Sequence, residues 1–174
     1  MKPISLLVAG LLSMAPPQAW AGASRQIQQA RPVPRLMGQD PAQFSAQGCT
    51  VSAAGVNFGV YDGLAAAPAD GLGQVDVSCP AGQAFTVLLG PGSSSVAKFQ
   101  ARNMRGGAGG QLAYNLFVDA GRTLVWGDGT GTTQVQTGQG TGQPQGLIVY
   151  GRILPRQTVP LGSYSDAVVV TVLW

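Results

Sequence analysis

The chain has 174 residues, of which only 10% are charged, and it contains 26 glycines and 12 prolines. Its formal net charge of +3 produces only a weak electrostatic field, and the basic residues are scattered singly along the chain. Nucleic acid is therefore not an expected partner. Histidine is absent, which excludes Ser-His-Asp and Cys-His catalysis and His-based zinc sites. We therefore expect no enzymatic activity, no cofactor and no metal.

The first 21 residues have the pattern of a secretory signal peptide. Lys2 supplies the early positive charge, residues 4–15 are predominantly apolar, and Ala19-Trp20-Ala21 is a small-x-small ending. The apolar stretch is shorter than the roughly 20 residues that a membrane helix needs. We expect residues 1–21 to be removed on export through the inner membrane, and no stable membrane insertion of the product.

Residues 22–47 are predicted to be an extended arm. They mix Gln, Arg and Pro with isolated apolar residues and keep neither a helical nor a two-residue period for long. Three prolines interrupt the arm, and each lacks a backbone hydrogen-bond donor. The arm can therefore act as a full strand only between its prolines.

Residues 48–174 are predicted to form one β-sandwich domain without helices. The strand candidates are short and bounded by Gly, Pro, Asp or Ser: residues 50–61 (a strand pair), 73–78, 85–89, 111–119, 123–126, 146–154 and 164–174. Short strands separated by regular turn signals are typical of an all-β sandwich. Residues 127–146 are Gly-rich and are interpreted as a flexible loop between strands.

Cys49 and Cys79 are the chain's two cysteines. In an exported protein such a pair forms a disulfide far more often than a metal site. A loop of this length, once closed, would stabilise the fold by about 3 to 4 kcal/mol in the chain-entropy model. We therefore predict a disulfide between them.

Three aspartates, Asp119, Asp128 and Asp166, are the candidates for an acid-base pair. Each falls in a predicted turn or at a strand end, where Asp ordinarily binds the backbone. We interpret them as turn residues, with an aspartate-pair hydrolase as a minor alternative. The Asp128-Gly129 loop also lacks the succession of carboxylates that calcium needs.

Aromatic residues are open to two interpretations: they can line a sugar-binding face or fill the core between two sheets. The residues concerned are Phe85, Tyr114, Phe117, Trp126, Tyr150 and Tyr164. Large aromatic side chains are usually buried in a two-sheet core, so core packing is the favoured interpretation.

The last strand candidate, residues 164–174, is apolar on both faces. Val168, Val170, Val172 and Trp174 lie on one face, and the opposite face is also largely apolar. A strand covered on both faces is expected to be central in its sheet. With no later segment to pair with it, one of its hydrogen-bonding edges is expected to be open, and a strand from a neighbouring molecule can fill such an edge.

These residues, taken in order, resemble the spore coat protein U domain. The segments that carry the resemblance are 49–52 (CTVS), 56–61 (VNFGVY), 75–79 (VDVSC), 102–104 (RNM), 112–117 (LAYNLF), 126–130 (WGDGT) and 162–166 (GSYSD). Each segment is short, but their order and the cysteine placement make the combination specific. The resemblance covers residues 48–174.

The resemblance implies an incomplete immunoglobulin-like β-sandwich that lacks its last strand, as in subunits of archaic, Csu-type chaperone-usher pili. In that family a periplasmic chaperone lends a strand to the open groove. An outer-membrane usher then exchanges it for the N-terminal arm of the next subunit, giving a cell-surface fibre for adhesion and biofilm formation. By the same resemblance Cys49 and Cys79 form the disulfide, and Tyr164 and Asp166 mark the start of the last strand.

The arm departs from the family pattern. Donor arms carry alternating apolar residues, whereas here Ile27, Val33 and Leu36 are the possible donor residues and prolines interrupt them. This pattern indicates a subunit that accepts a strand from a neighbour but is itself a weak donor. Such a subunit would suit a minor or terminal position in a fibre. The alternative is a stand-alone secreted binding module that recognises carbohydrate or another surface polymer and whose arm completes its own sheet.

Overall fold

The structure, a computed structural model, describes residues 3–9, 48–94, 98–107 and 109–174. Over these residues the secondary structure consists of ten strands, with no helix long and apolar enough to cross a membrane. The strands are β1 (Pro3–Ala9), β2 (Thr50–Asn57), β3 (Ala69–Ser78), β4 (Ala84–Leu89), β5 (Arg102–Gly106), β6 (Gln111–Phe117), β7 (Gln136–Gln139), β8 (Gln145–Ile153), β9 (Tyr164–Ser165) and β10 (Ala167–Leu173).

The described strands form two antiparallel sheets. One has the order β1-β10-β4-β7, and the other has the order β2-β3-β8-β6-β5-β9. Buried residues from both sheets belong to one hydrophobic cluster, so the sheets pack face to face. The predicted all-β, immunoglobulin-like sandwich is confirmed.

The core consists of side chains at every second position of the strands. In β4, Phe85, Val87 and Leu89 are buried, while the residues between them are more exposed. In β3 the same pattern buries Val75 and Val77. These inward-facing residues, with their counterparts on β6, β8 and β10, form the single core of the sandwich.

A glycine-lined hollow in the larger sheet makes room for bulky residues. Gly71 on β3 lies opposite Gly151 on β8. A Cβ atom at Gly151 would lie 2.7 Å from both Phe58 and Val56, so the two glycines leave the space that those side chains fill. Phe58 in turn makes an edge-to-face contact with Tyr114, with ring centroids 6.0 Å apart.

Residues 123–126 do not form the predicted strand. Val125 and Trp126 make only isolated bridges, to Phe117 and Gln134. The reason is local: a turn capped by Asp119 precedes the segment, and Trp126 is used as a core residue with no exposed surface.

Besides β1, which lies in the predicted signal peptide, the sequence pattern missed two strands. β5 (RNMRG) and β7 (QTGQ) are mostly polar, and Thr137 is the one β-branched or aromatic residue, of the kind on which strand prediction depends, that they contain. β7 lies within the predicted loop 127–146 and pairs with β4 at the sheet edge, where polar residues suit a solvent-facing strand. The interpretation of that whole stretch as a loop is therefore wrong for residues 136–139.

The predicted arm, residues 22–47, lies outside the described residues, and so do its candidate donor residues Ile27, Val33 and Leu36. Of the predicted signal peptide, the structure describes residues 3–9. The division into signal peptide, arm and domain therefore stays a prediction.

Candidate strand-acceptor edge

The candidate site is one edge of β10. The other edge of this strand pairs with β4, with Val170 opposite Leu89 and Val172 opposite Val87. The candidate edge pairs with β1 along all seven residues of β10. β1 belongs to the predicted signal peptide, so the edge is filled by a segment that is remote in sequence.

Val170 and Val172 on β10 face the core. Val170 is 2% exposed and Val172 is 0% exposed, while Val168 is half-buried at the start of the strand. Trp174 lies just beyond the end of β10 and is half-buried against the same core. Gly48 accommodates its ring, because a Cβ atom there would lie 3.1 Å from Trp174.

The prediction of one continuous strand over residues 164–174 is wrong. Tyr164 and Ser165 form β9, which pairs with β5 in the larger sheet, whereas β10 belongs to the smaller sheet. The chain therefore crosses from one layer of the sandwich to the other at Asp166. An Asp at this point has a physical role, since its side chain can satisfy backbone groups that a strand interruption leaves unpaired.

The Asp166 carboxylate ties this crossover to two other segments. Its Oδ1 accepts hydrogen bonds from the Ser93 N–H at 2.8 Å, the Ser93 hydroxyl at 2.7 Å and the Ala167 N–H at 2.8 Å. Its Oδ2 accepts one from the Tyr114 hydroxyl at 2.8 Å. The start of β10 is thereby fixed to β6 and to the loop after β4.

Burial raises the pKa of Tyr114 far above its usual value, and the neighbouring Asp166 carboxylate raises it further. The phenol therefore stays protonated at neutral pH and remains a hydrogen-bond donor to Asp166. Since Tyr114 is only 5% exposed, its hydroxyl depends on this partner.

Tyr164 fixes the approach to the crossover. Its hydroxyl donates to the Pro160 carbonyl at 2.7 Å, four residues upstream. Its ring lies over the β5–β6 hairpin, where a Cβ atom at Gly106 would come within 2.7 Å of it. A tyrosine bonded back to upstream backbone at the corner between two strands is a feature of immunoglobulin-type sandwiches.

Arg102 supports β10 through the backbone after β4. Its guanidinium is fully buried and donates to the Gly90 carbonyl at 2.8 and 3.0 Å and to the Trp126 carbonyl at 2.7 Å. A further bond, of 2.6 Å, goes to Asn115 Oδ1. The Gly90 N–H donates to the Val169 carbonyl at 2.8 Å, so the residue that Arg102 holds also pairs with β10.

Burial lowers the pKa of Arg102 to about 10, and the nearby Tyr114 and Asp166 act in the opposite direction. The guanidinium thus stays charged at neutral pH, and carbonyl and amide oxygens compensate for its loss of water. Sequence analysis did not single out Arg102 as a site residue. A weak signal is present, since Arg102 and Met104 are the alternate, inward positions of β5, but nothing in the sequence tells which basic residue is buried.

The disulfide is confirmed: Cys49 and Cys79 are bonded, with Cα atoms 4.2 Å apart. They lie just before β2 and just after β3, next to the paired residues Thr50 and Ser78. Both are 2% exposed, so the bond belongs to the core.

Two of the three candidate acid-base aspartates, Asp119 and Asp128, serve turns, and the third, Asp166, anchors the crossover between the sheets. Asp119 accepts hydrogen bonds from the N–H groups of Leu124 and Thr123, and these bonds hold the pKa of Asp119 below its usual value, led by the Leu124 N–H. Asp128 accepts from the side chain and N–H of Thr130, which lowers its pKa likewise. Within the described ranges no three His, Cys, Asp or Glu residues are grouped as a metal site needs.

Of the six aromatic residues that the sugar-binding interpretation depends on, three are buried in the core, and Phe117, Tyr150 and Tyr164 are half-buried. Trp126 is 0% exposed and donates its indole N–H to the Val87 carbonyl at 3.0 Å. Phe85 and Tyr114 are also buried. Trp126 is therefore unable to contact a ligand at the surface of the folded domain.

The fold and this edge together define an immunoglobulin-like sandwich whose β10 edge is filled by a sequence-remote strand. The family model of the Spore Coat Protein U domain matches residues 41–171, so the chain belongs to this family. Protein U of Myxococcus xanthus is 34% identical over 127 residues, which are 67% of this chain and 70% of that relative.

A solved structure is similar in fold. It is the CsuC-CsuE chaperone-tip adhesion subunit pre-assembly complex from the archaic chaperone-usher Csu pili of Acinetobacter baumannii. The match has a TM-score of 0.52 and 20% sequence identity, and it covers 72% of this chain. The chain spans 39% of the chain that it matches there.

Proposed function

We propose that this protein is an exported subunit of a surface pilus assembled by a chaperone-usher pathway, and that the β10 edge accepts a strand from another polypeptide. The observation that carries the proposal is the pairing of β1 with all of β10. β1 belongs to the predicted signal peptide, and removal of that peptide leaves the edge of β10 without its partner. A valine-rich strand with an open edge is prone to aggregation until another strand covers it.

The register indicates what kind of strand the edge takes. β1 runs antiparallel to β10, and Ile4, Leu6 and Val8 lie opposite Val172, Val170 and Val168. Because Val170 and Val172 are buried, a strand in this register adds its alternate residues to the core. The edge therefore selects a strand that is apolar at every second position.

The family and the similar structure support the expected partners. The solved complex pairs a chaperone with a tip adhesion subunit of chaperone-usher pili. We infer that a periplasmic chaperone occupies the β10 edge first, and that an outer-membrane usher transfers the subunit to a neighbouring pilus subunit. The product is then a cell-surface fibre, with adhesion and biofilm formation as its role.

The test is a fusion that supplies the missing strand. A copy of residues 3–9 is appended after Trp174 through a short flexible linker, in the full chain exported to the periplasm of a bacterial host. The linker can be short because Pro3 lies opposite Leu173, so the appended strand turns back along β10 as a hairpin. Burying three large apolar side chains contributes roughly 1.5 to 3 kcal/mol each, so we expect the melting temperature to rise by about 10 °C or more.

The matched control carries serine in the appended copy at the three positions taken from Ile4, Leu6 and Val8. This copy keeps the length and the backbone donors and removes the apolar groups, so its expected rise is small. An unfused exported chain that is monomeric and as stable as the fusion would contradict the proposal. Equal stabilisation by both fusions would contradict the role of the apolar positions.

A further inference from the structure

The β1 pairing defines three positions that an occupant of the β10 edge has to fill. The residues opposite Val172, Val170 and Val168 are Ile4, Leu6 and Val8, three large apolar residues at two-residue spacing. The middle position faces Val170, which is 2% exposed. A charged residue at that position would be carried into the core without a partner.

The chain's own arm, residues 22–47, does not contain this pattern. Its large apolar residues are Ile27, Val33, Leu36, Met37 and Phe44, and no two of them are two positions apart. The best available register therefore uses Val33 and Met37 for the outer two positions. It sets Arg35 opposite Val170.

A proline also weakens the backbone pairing that this register allows. Residues 32–38 (PVPRLMG) are the window that puts Val33, Arg35 and Met37 at the three positions, and Pro34 lies between the first two. Proline has no N–H to donate to a neighbouring strand. In β1 the corresponding residue is Ser5, which keeps its backbone donor.

We propose that this subunit takes its completing strand from a different polypeptide and does not supply one to a second copy of itself. The proposal rests on the proposed function of the β10 edge. A head-to-tail fibre grows only while each member both accepts and donates. A chain that does not donate to its own copies therefore cannot form a repeating shaft by itself.

The experiment compares appended strands in the same exported full chain, each of seven residues and joined after Trp174 by the same linker. The first is a copy of residues 3–9, and the second is a copy of residues 32–38. The third is the copy of residues 32–38 with Pro34→Ser and Arg35→Leu, which restores the backbone donor and the middle apolar position. The mass of each purified protein is checked so that only chains beginning at Gly22 are compared.

The expected result is a rise in melting temperature of about 10 °C or more for the first strand and little change for the second. The doubly substituted third strand regains most of the rise. The exported chain alone, at high concentration, forms no ladder of multimers that survives mild detergent.

Two outcomes overturn the inference in different ways. If the copy of residues 32–38 stabilises as well as the copy of residues 3–9, or if the chain alone forms a ladder, the arm is a competent donor and only this inference fails. If none of the three appended strands stabilises the domain, the β10 edge is not an acceptor. In that case the proposed function fails as well.

Discussion

Replacing Asp166 by alanine removes the group that anchors the crossover between the two sheets. The carboxylate accepts hydrogen bonds from the Ser93 N–H and hydroxyl, the Ala167 N–H and the Tyr114 hydroxyl. In Asp166→Ala the start of β10 loses its side-chain bonds to Tyr114 on β6 and to Ser93 in the loop after β4. The Tyr114 hydroxyl, in a side chain only 5% exposed, also loses its acceptor.

The size of the effect follows from these contacts. Hydrogen bonds to a charged group contribute about 1.5 to 3 kcal/mol each, and a buried polar group left unpaired costs about 1 to 3 kcal/mol. The bonds to Ser93 are exposed to solvent and contribute at the low end. We expect Asp166→Ala to lower the free energy of unfolding by about 3 to 5 kcal/mol, and Asp166→Asn, which keeps one acceptor oxygen, by about half of that.

The assay is urea unfolding at pH 7 of the domain carrying the appended copy of residues 3–9, followed by circular dichroism. Tyr114→Phe is measured alone and combined with Asp166→Ala, and we expect a coupling energy of about 1 to 2 kcal/mol because the two groups bond directly. Asp62→Ala is the matched control, since Asp62 accepts a single exposed bond from the Leu64 N–H. Its expected cost is below about 1 kcal/mol.

The reasoning about the crossover is refuted if Asp166→Ala costs no more than Asp62→Ala. It is also refuted if the effects of Tyr114→Phe and Asp166→Ala simply add, because the buried hydroxyl would then not depend on the carboxylate.

Two further predictions concern the disulfide and acid stability. Replacing Cys49 and Cys79 together by serine should lower the free energy of unfolding by about 3.6 kcal/mol in the chain-entropy model, since the cysteines are 30 residues apart; an unchanged urea midpoint would contradict this. The pKa values of Asp70 and Asp119 lie below their values in the unfolded chain, that of Asp70 chiefly because of its bond from Arg152. The stabilisation that these two carboxylates give is therefore present above about pH 4 and is lost as the pH falls through the folded pKa. Urea midpoints measured from pH 5 to pH 2.5 should therefore fall, and less steeply in Asp119→Asn; identical slopes would count against this account.

The parts of the fold that follow from apolar alternation were predictable from the sequence. β3, β4, β6, β8 and β10 all repeat a buried residue at every second position, and the sequence analysis located each of them. β5 and β7 carry polar residues, so their strand conformation depends on neighbours that a local pattern does not reveal.

The candidate site was predictable in outline and not in detail. The valines of β10 marked a strand buried on both faces, but one apolar run gave no sign that the chain changes sheets at Asp166. The same limit applies to Arg102, whose burial depends on carbonyl groups of Gly90 and Trp126 brought together by the fold. Long-range polar partners of this kind leave no periodic signal in a sequence.

The position of the disulfide has a consequence for how the chain aligns its first core hairpin. A slip of one residue between β2 and β3 would turn Val75 and Val77 outward and bring polar neighbours into the core. The bond between Cys49 and Cys79, directly beyond the pair Thr50 and Ser78, holds this end of the two strands in the observed alignment. Forming the disulfide therefore favours the correct pairing of β2 with β3. This matters in a glycine-rich chain that has few charges to oppose a mispaired sheet.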